Sequence, residues 1–234
     1  MKNRSYSLIA LLIVLVAMCL CLSSCKGTTK NSILGFSLKD TFIDDNPILQ
    51  ASYAEILERF GQPQSVATNE VSFSDHRDEP YTLYTASYND VQFELLSNTN
   101  DPSMLDDEPV FQFDITGTKY SFIGLTVGMS ADEVQSLYRD IVFYDMNVVN
   151  LSTEQIEKDY PNDAFVLCSI KAILTKLKPE NMYSGFTQIA YVPGIVTEDE
   201  LSQYDWQITT SLGAVLLFSD DNLKQIAFGM PTAG

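Results

Sequence analysis

The chain has 234 residues and a formal net charge of −17, with 31 acidic residues against 14 lysines and arginines. An acidic surface of this kind repels nucleic acid and anionic lipid head groups, so we predict no nucleic-acid partner. The single histidine excludes metal sites that need two of them. We predict neither a metal nor any other cofactor.

The first element along the chain is typical of a secretory signal sequence. Lys2 and Arg4 precede an uninterrupted apolar run, residues 8–22. This run is shorter than the roughly 20 apolar residues that a membrane span needs. It ends in "LSSC", residues 22–25, which resembles the lipobox of bacterial lipoproteins.

The resemblance implies that residues 1–24 are a signal peptide and that Cys25 becomes a lipid-modified N-terminus, acylated with fatty chains such as palmitate. Residues 25–32, "CKGTTKNS", are then a short polar tether. A plain signal peptide cut nearby and an uncleaved N-terminal helix are the alternatives. Because Lys26 rather than Asp follows the anchor, we expect the outer membrane if the cell has one. Otherwise we expect the outer face of the cytoplasmic membrane.

Two short stretches predict capped helices. Ser52 and Glu55 form an S-x-x-E pair, and Ser130 and Glu133 form another. In a capping box the serine oxygen accepts from the third helical amide, and the glutamate reaches back to the amide of the serine. The spacing therefore predicts amphipathic helices of about two turns that begin just after each serine.

Most of the remaining chain predicts antiparallel strands. Residues 81–88 are rich in aromatic and β-branched side chains, and residues 91–96 follow them across an Asn-Asp turn; residues 186–192 and 206–213 predict two more strands. The acidic, proline-containing residues 97–109 predict a long surface loop. Tyr84 and Tyr88 should share one sheet face and Tyr81 the other; exposed tyrosines would suit partner binding, although core packing is their commoner use.

The chain also indicates an internal duplication. The two capping boxes are 78 residues apart (130 − 52), and two predicted hairpins with a lysine near the turn, residues 110–124 and 214–229, are 105 residues apart (218 − 113). We therefore predict an α+β fold of two tandem repeats, each with short helices packed on an antiparallel sheet. The repeats would span residues 33–124 and 125–234, with an insertion near 152–181.

The stretch "GLTVGMSADEVQSLY", residues 124–138, resembles the helix start of the small outer-membrane lipoproteins that accompany the β-barrel assembly machinery. It is also similar to the repeats of β-lactamase-inhibitor-protein-like folds. Gly61 and Pro63 match the Gly-x-Pro that commonly follows the helix in the family, whereas the second copy has Arg139 and Ile141 there. The resemblance implies this fold, an envelope habitat, and a binding or scaffold role without catalysis.

No catalytic residue is predicted. Cys168 lies in an apolar run and indicates a core thiol, and His76 lies in a charged, loop-like stretch. The acidic clusters at 44–45, 106–108 and 220–221 indicate solvated turns.

The function that we predict is therefore that of a lipid-anchored extracytoplasmic protein which binds another envelope protein and is attached to the membrane through Cys25. The alternatives are a carboxylate-dependent hydrolase acting on a cell-wall or glycan substrate and, less in keeping with the chain's size, a small-ligand receptor for a transporter.

Overall fold

A computed structural model describes seven stretches of the chain, which are residues 35–37, 41–48, 51–71, 81–138, 140–175, 185–195 and 212–229. All of them belong to one compact unit that spans residues 34–234. Cys25 and His76 lie outside the described residues, as do the predicted signal peptide, the tether and most of the predicted strand at 206–213.

Among the described residues the structure contains four α-helices, which are α1 (Tyr53–Phe60), α2 (Ala131–Leu137), α3 (Thr153–Asp159) and α4 (Ala164–Thr175). Its strands are β1 (Phe36–Ser37), β2 (Phe42–Ile43), β3 (Asn46–Pro47), β4 (Ser65–Val71), β5 (Tyr81–Ser87), β6 (Val91–Ser97), β7 (Val110–Ile115), β8 (Ser121–Phe122), β9 (Leu125–Thr126), β10 (Phe143–Asp145), β11 (Gln188–Ile195), β12 (Gly213–Ser219) and β13 (Asn222–Gly229). Within these ranges, no helix has both the length and the apolar character that crossing a bilayer requires.

The larger of the two sheets contains strands from both halves of the chain. Its order is β1-β11-β12-β13-β7-β6-β5-β4, and β10 also pairs with β11. The β1–β11 pair is parallel, and the other pairs are antiparallel. Because β13 pairs with β7 through Phe228 opposite Phe113, the two halves form one continuous sheet. The smaller sheet has the order β3-β2-β8-β9.

Each face of the larger sheet carries an apolar core. The first core contains Phe113 and Phe228 from the sheet, Ile56 from α1 and Val134 from α2. The second core packs side chains of α3 and α4 against β11, β12 and β13. Strands that are buried on both faces are apolar at successive positions rather than at alternate ones, which explains the continuous apolar run in β12. The predicted α+β class is confirmed.

Both predicted helix starts are confirmed. Ser52 caps α1 and Ser130 caps α2, and each forms a complete capping box with the glutamate three residues later. The Ser130 amide donates to a Glu133 carboxylate oxygen over 2.8 Å, and the Glu133 amide donates back to the Ser130 hydroxyl over 3.2 Å. Four otherwise unpaired amides open every helix, so each box satisfies groups that would lack partners.

The predicted hairpin at residues 110–124 is wrong. β7 pairs with β6 and β13, whereas β8 belongs to the smaller sheet. The β6–β7 pairing continues one position further, where the Thr116 amide donates to the Asp90 carbonyl over 2.9 Å, so the chain leaves β7 beside the β5–β6 turn and does not fold back along β7. The equivalence of Phe113 with Phe218 loses its basis, since β12 forms a hairpin with the strand that follows it and β7 does not.

A different correspondence between the halves is visible in the backbone. At each helix start, two backbone hydrogen bonds of 2.8–2.9 Å join the residues beside the cap serine to residues at, or just before, the start of that half's last strand. The donor–acceptor pairs are Tyr53–Glu108, Val110–Ala51, Ala131–Asp221 and Leu223–Met129. The helix positions are 78 residues apart (131 − 53) and the strand positions 113 apart (223 − 110). The tandem repeat stays a hypothesis, and this alignment, with β7 equivalent to β13, is its revised form.

Replacing the cap serine tests the contribution of the second capping box to stability. Ser130→Ala should lower the free energy of unfolding by about 1 kcal/mol, because the Glu133 amide loses its side-chain acceptor. Urea denaturation followed by circular dichroism measures this change. Ser103→Ala, an exposed serine outside the α-helices, is a comparison variant that should change the midpoint less.

The same box predicts a pH dependence. Hydrogen bonds from the backbone amide and then the hydroxyl of Ser130 lower the pKa of Glu133 below its usual 4.5. A lowered folded-state pKa stabilises the protein above 4.5, and this stabilisation is lost as pH falls through the lowered value. Ser130→Ala keeps the backbone amide and removes only the hydroxyl, so the pKa of Glu133, followed by NMR titration, should move part of the way back toward 4.5. An unchanged pKa would show that the Ser130 hydroxyl does not donate to Glu133.

Candidate functional site

The outer edge of the larger sheet is formed by β4, whose sequence is SVATNEV. β4 pairs with β5 along its whole length, from Ser65 opposite Ser87 to Val71 opposite Tyr81. In the part of the chain that the structure describes, no strand pairs with its other side. Residues 65–70 are exposed on both sheet faces, which distinguishes β4 from the buried strands beside it.

β4 has few of the features that usually protect a sheet edge. Natural edge strands carry charged side chains, lysine above all, or proline, or a bulge that blocks further pairing, or they are very short. β4 has seven residues with Glu70 as its one charged side chain, contains neither lysine nor proline, and pairs with β5 in a regular register. Val66 is 38 % exposed on it. Such an edge is a template for the addition of another strand.

The opposite edge of the sheet is different. β11 is covered there by β1, which pairs with Gly194 and Ile195, and by β10, which pairs with residues 188–190. Two short strands thus occupy the outer side of β11. The sheet therefore has one covered edge and, among its described strands, one open edge.

The chain enters β4 through a turn that glycine makes possible. Gly61 ends α1 with φ 79° and ψ −163°, a conformation that residues with a side chain rarely adopt. Its amide donates to the Leu57 carbonyl over 2.9 Å, and the Gln64 amide donates to the Ser87 carbonyl over 2.8 Å. The Gly-x-Pro feature seen in the sequence therefore sets the direction in which the edge strand leaves the helix.

An aromatic cluster holds this turn against the sheet. The Phe60 ring lies 4.9 Å from Phe93, 5.6 Å from Tyr120 and 6.0 Å from Tyr88, measured between ring centroids. The Tyr88 hydroxyl donates to the Gly61 carbonyl over 3.0 Å. Burial is the main cause that raises the pKa of Tyr88 to about 12, so it stays a hydrogen-bond donor at any physiological pH.

Beside β4 lies a small open cleft of about 160 Å³. It is lined by Thr68, Asn69 and Glu70 of the edge strand, by Thr82 of β5, and by Asn100 of the loop after β6. Glu70 is directly opposite Thr82 in the β4–β5 register. The Thr82 hydroxyl is buried and donates to the Asn100 side-chain oxygen, which fixes the inner wall of the cleft.

The acidic clusters predicted as solvated turns have structural roles. Asp220 and Asp221 form the β12–β13 turn with φ of 52° and 59°, the conformation that a tight hairpin turn requires. Asp44 lies between β2 and β3 and accepts from the Ser121 amide over 2.9 Å. Glu108 accepts from the Ser97 hydroxyl over 2.6 Å. The Asp44 and Glu108 carboxylates thus stabilise loops of the fold, and Asp220 and Asp221 supply the backbone conformation of a turn.

Two carboxylates are buried on the sheet face that carries the second core, and the sequence did not predict their burial. Glu94 and Asp114 are 3 % and 1 % exposed, and their cross-strand neighbours are Gln112 and Gln92. Alternation along a strand shows which side chains share a face, but it does not show whether that face is buried. Carboxylates this deeply buried cannot contact a polymeric substrate, so they do not favour the hydrolase alternative.

The other residues singled out in the sequence are placed in the core or at its border. Tyr84 is fully buried and donates to the Thr99 carbonyl over 2.8 Å, so it packs inside rather than facing a partner. Cys168 is half-buried beside the second core, and burial raises the pKa of its thiol, which is therefore a poor nucleophile at neutral pH. No group of three or more metal-ligating side chains occurs within the described ranges.

Comparisons with known proteins add little. No protein-family profile matches the chain, and no curated protein matches it. Among solved structures the chain is similar to an extracellular protein containing a SCP domain from Bacillus anthracis strain Ames, with 11 % identity and a TM-score of 0.33. The match covers 78 % of this chain and 44 % of that one, so the chain spans less than half of that protein. A TM-score of this size carries no argument about fold or activity.

The glycine at the end of α1 gives a direct test of how the edge strand is positioned. Gly61→Ala should destabilise the protein by about 1–3 kcal/mol, because alanine is strained at this backbone conformation. No atom would meet the added Cβ, so the loss would come from backbone strain alone. Urea denaturation measures it, with the exposed neighbour Gln62→Ala as the control. Equal stability of the two variants would show that the turn does not require glycine.

Proposed function

We propose that this protein is a lipid-anchored, extracytoplasmic binding protein of the bacterial cell envelope, which docks another envelope protein along β4. The single observation that supports the docking is the outer edge of β4, with which no described strand pairs; its residues 65–70 are exposed on both faces, and it contains neither lysine nor proline. The lipobox-like sequence before Cys25 carries the anchoring.

The charge of the chain supports membrane attachment through the lipid and partner binding through β4. Removal of Lys2 and Arg4 with the signal peptide leaves 12 basic residues (14 − 2) against 31 acidic ones. A chain with this charge has little affinity for anionic lipid, so membrane attachment depends on the lipid at Cys25. The β4 edge then remains available for a protein partner.

Loss of the anchor cysteine should remove the protein from membranes. Cys25→Ala should release the chain into the soluble fraction or leave its precursor uncut, because a diacylglyceryl group supplies the two acyl chains that stable anchoring requires. Detergent phase partitioning and mass spectrometry of the mature N-terminus measure both effects. Cys19→Ala and Cys21→Ala are matched controls that should change nothing, and a mature chain that begins elsewhere would contradict the proposal.

Docking along β4 is tested by photocrosslinking in intact cells. A benzoylphenylalanine placed at Val66 should give a discrete adduct of higher mass with another envelope protein. Phe165 on α4 is the matched control, because it is 60 % exposed and apolar but lies outside the larger sheet. Adducts from Phe165 and none from Val66 would show that the chain binds through another surface.

A further inference from the structure

The cleft beside β4 has the chemistry of a pocket for a positively charged side chain. Its lining offers the Glu70 carboxylate, two threonine hydroxyls and two asparagine amides, and no basic residue. Asp101 follows Asn100 directly and is also exposed. An amine or guanidinium entering the cleft would therefore meet hydrogen-bond acceptors and negative charge.

The position of the cleft relates it to an added strand. Glu70 and Thr68 belong to one face of β4, and a strand paired with the open edge would place its alternate side chains beside them. Recognition by strand addition takes affinity from main-chain hydrogen bonds and specificity from pockets for alternate side chains. The open edge can supply the main-chain hydrogen bonds, and the cleft can supply the side-chain pocket.

We infer that β4 binds an extended segment of a partner protein as an additional strand, and that a lysine or arginine of this segment enters the cleft at Glu70. The inference rests on the proposed function and names its partner chemistry: an extended, β-branched segment with a basic side chain. Charge complementarity selects this occupant, because the chain is strongly acidic and the cleft adds a carboxylate at the edge itself.

A second copy of the chain is the competing occupant. It would bring a mature chain of net charge −19 (12 − 31) against another of −19 and would leave both Glu70 clefts without a basic side chain, since β4 has none to offer. Repulsion between like charges disfavours such a pairing. The same acidity that opposes self-pairing attracts a basic segment.

The test uses the full-length lipoprotein in detergent and a random-peptide library displayed on phage. Selected peptides should alternate β-branched residues with a lysine or arginine, and their affinities are then measured by fluorescence anisotropy. Glu70→Gln should weaken binding about fivefold and Glu70→Lys about tenfold or more, since a favourable charge pair becomes a repulsive one. Exchanging the peptide's basic residue for glutamate should restore binding to Glu70→Lys.

Glu154→Lys is the matched control, because this exposed glutamate lies in the first turn of α3 and makes the same change in net charge. It should leave peptide affinity unchanged. Equal losses in the two variants would indicate only general electrostatic attraction and would overturn the inference. Peptides without basic residues, or a dimer in sedimentation equilibrium that Val66→Lys dissociates, would overturn it as well.

The two experiments distinguish failure of this inference from failure of the proposed function. Adducts at Val66 in cells, combined with peptide binding that ignores Glu70→Lys, would leave docking along β4 in place and exclude the cleft as its specificity pocket. Absence of adducts at Val66 would remove the proposed function itself.

Discussion

The pairing of β7 with β13 is the interaction on which the rest of this structure depends. It joins the strands of two chain halves into one sheet, and it places the rings of Phe113 and Phe228 4.8 Å apart in a stacked arrangement. Full burial of each such side chain contributes about 1.5–3 kcal/mol. Phe122 of the smaller sheet packs edge-on against both rings, so the first core is centred on this seam.

Joining the halves at their last strands determines where the sheet must end. The outer strands of the halves become the two edges, and an edge exposes backbone groups that seek partners. At the β11 edge, β1 and β10 cover those groups, whereas β4 ends the other side exposed on both faces. Together with the cleft at Glu70, this asymmetry is the basis for our proposal that a partner docks along β4.

Local features were predictable from the sequence because local contacts produce them. The capping boxes at Ser52 and Ser130 and the strands at 81–88 and 91–96 depend on residues a few positions apart. Strand order was not predictable, since the partners of β7 are chosen by packing across distant parts of the chain. The open edge was therefore missed: β4 is an edge only because of strands far from it in sequence. The burial of Glu94 was missed for the same reason.

Backbone amide hydrogen exchange of β4 tests the central claim most directly, if it is measured in native membranes and in the purified lipoprotein. Added strands protect edge amides by supplying hydrogen-bond acceptors. The account predicts slower exchange at residues 65–71 in membranes than in the purified protein, with unchanged exchange in the β12–β13 hairpin. Equal exchange of β4 in both preparations would contradict the assignment of this edge as the docking surface.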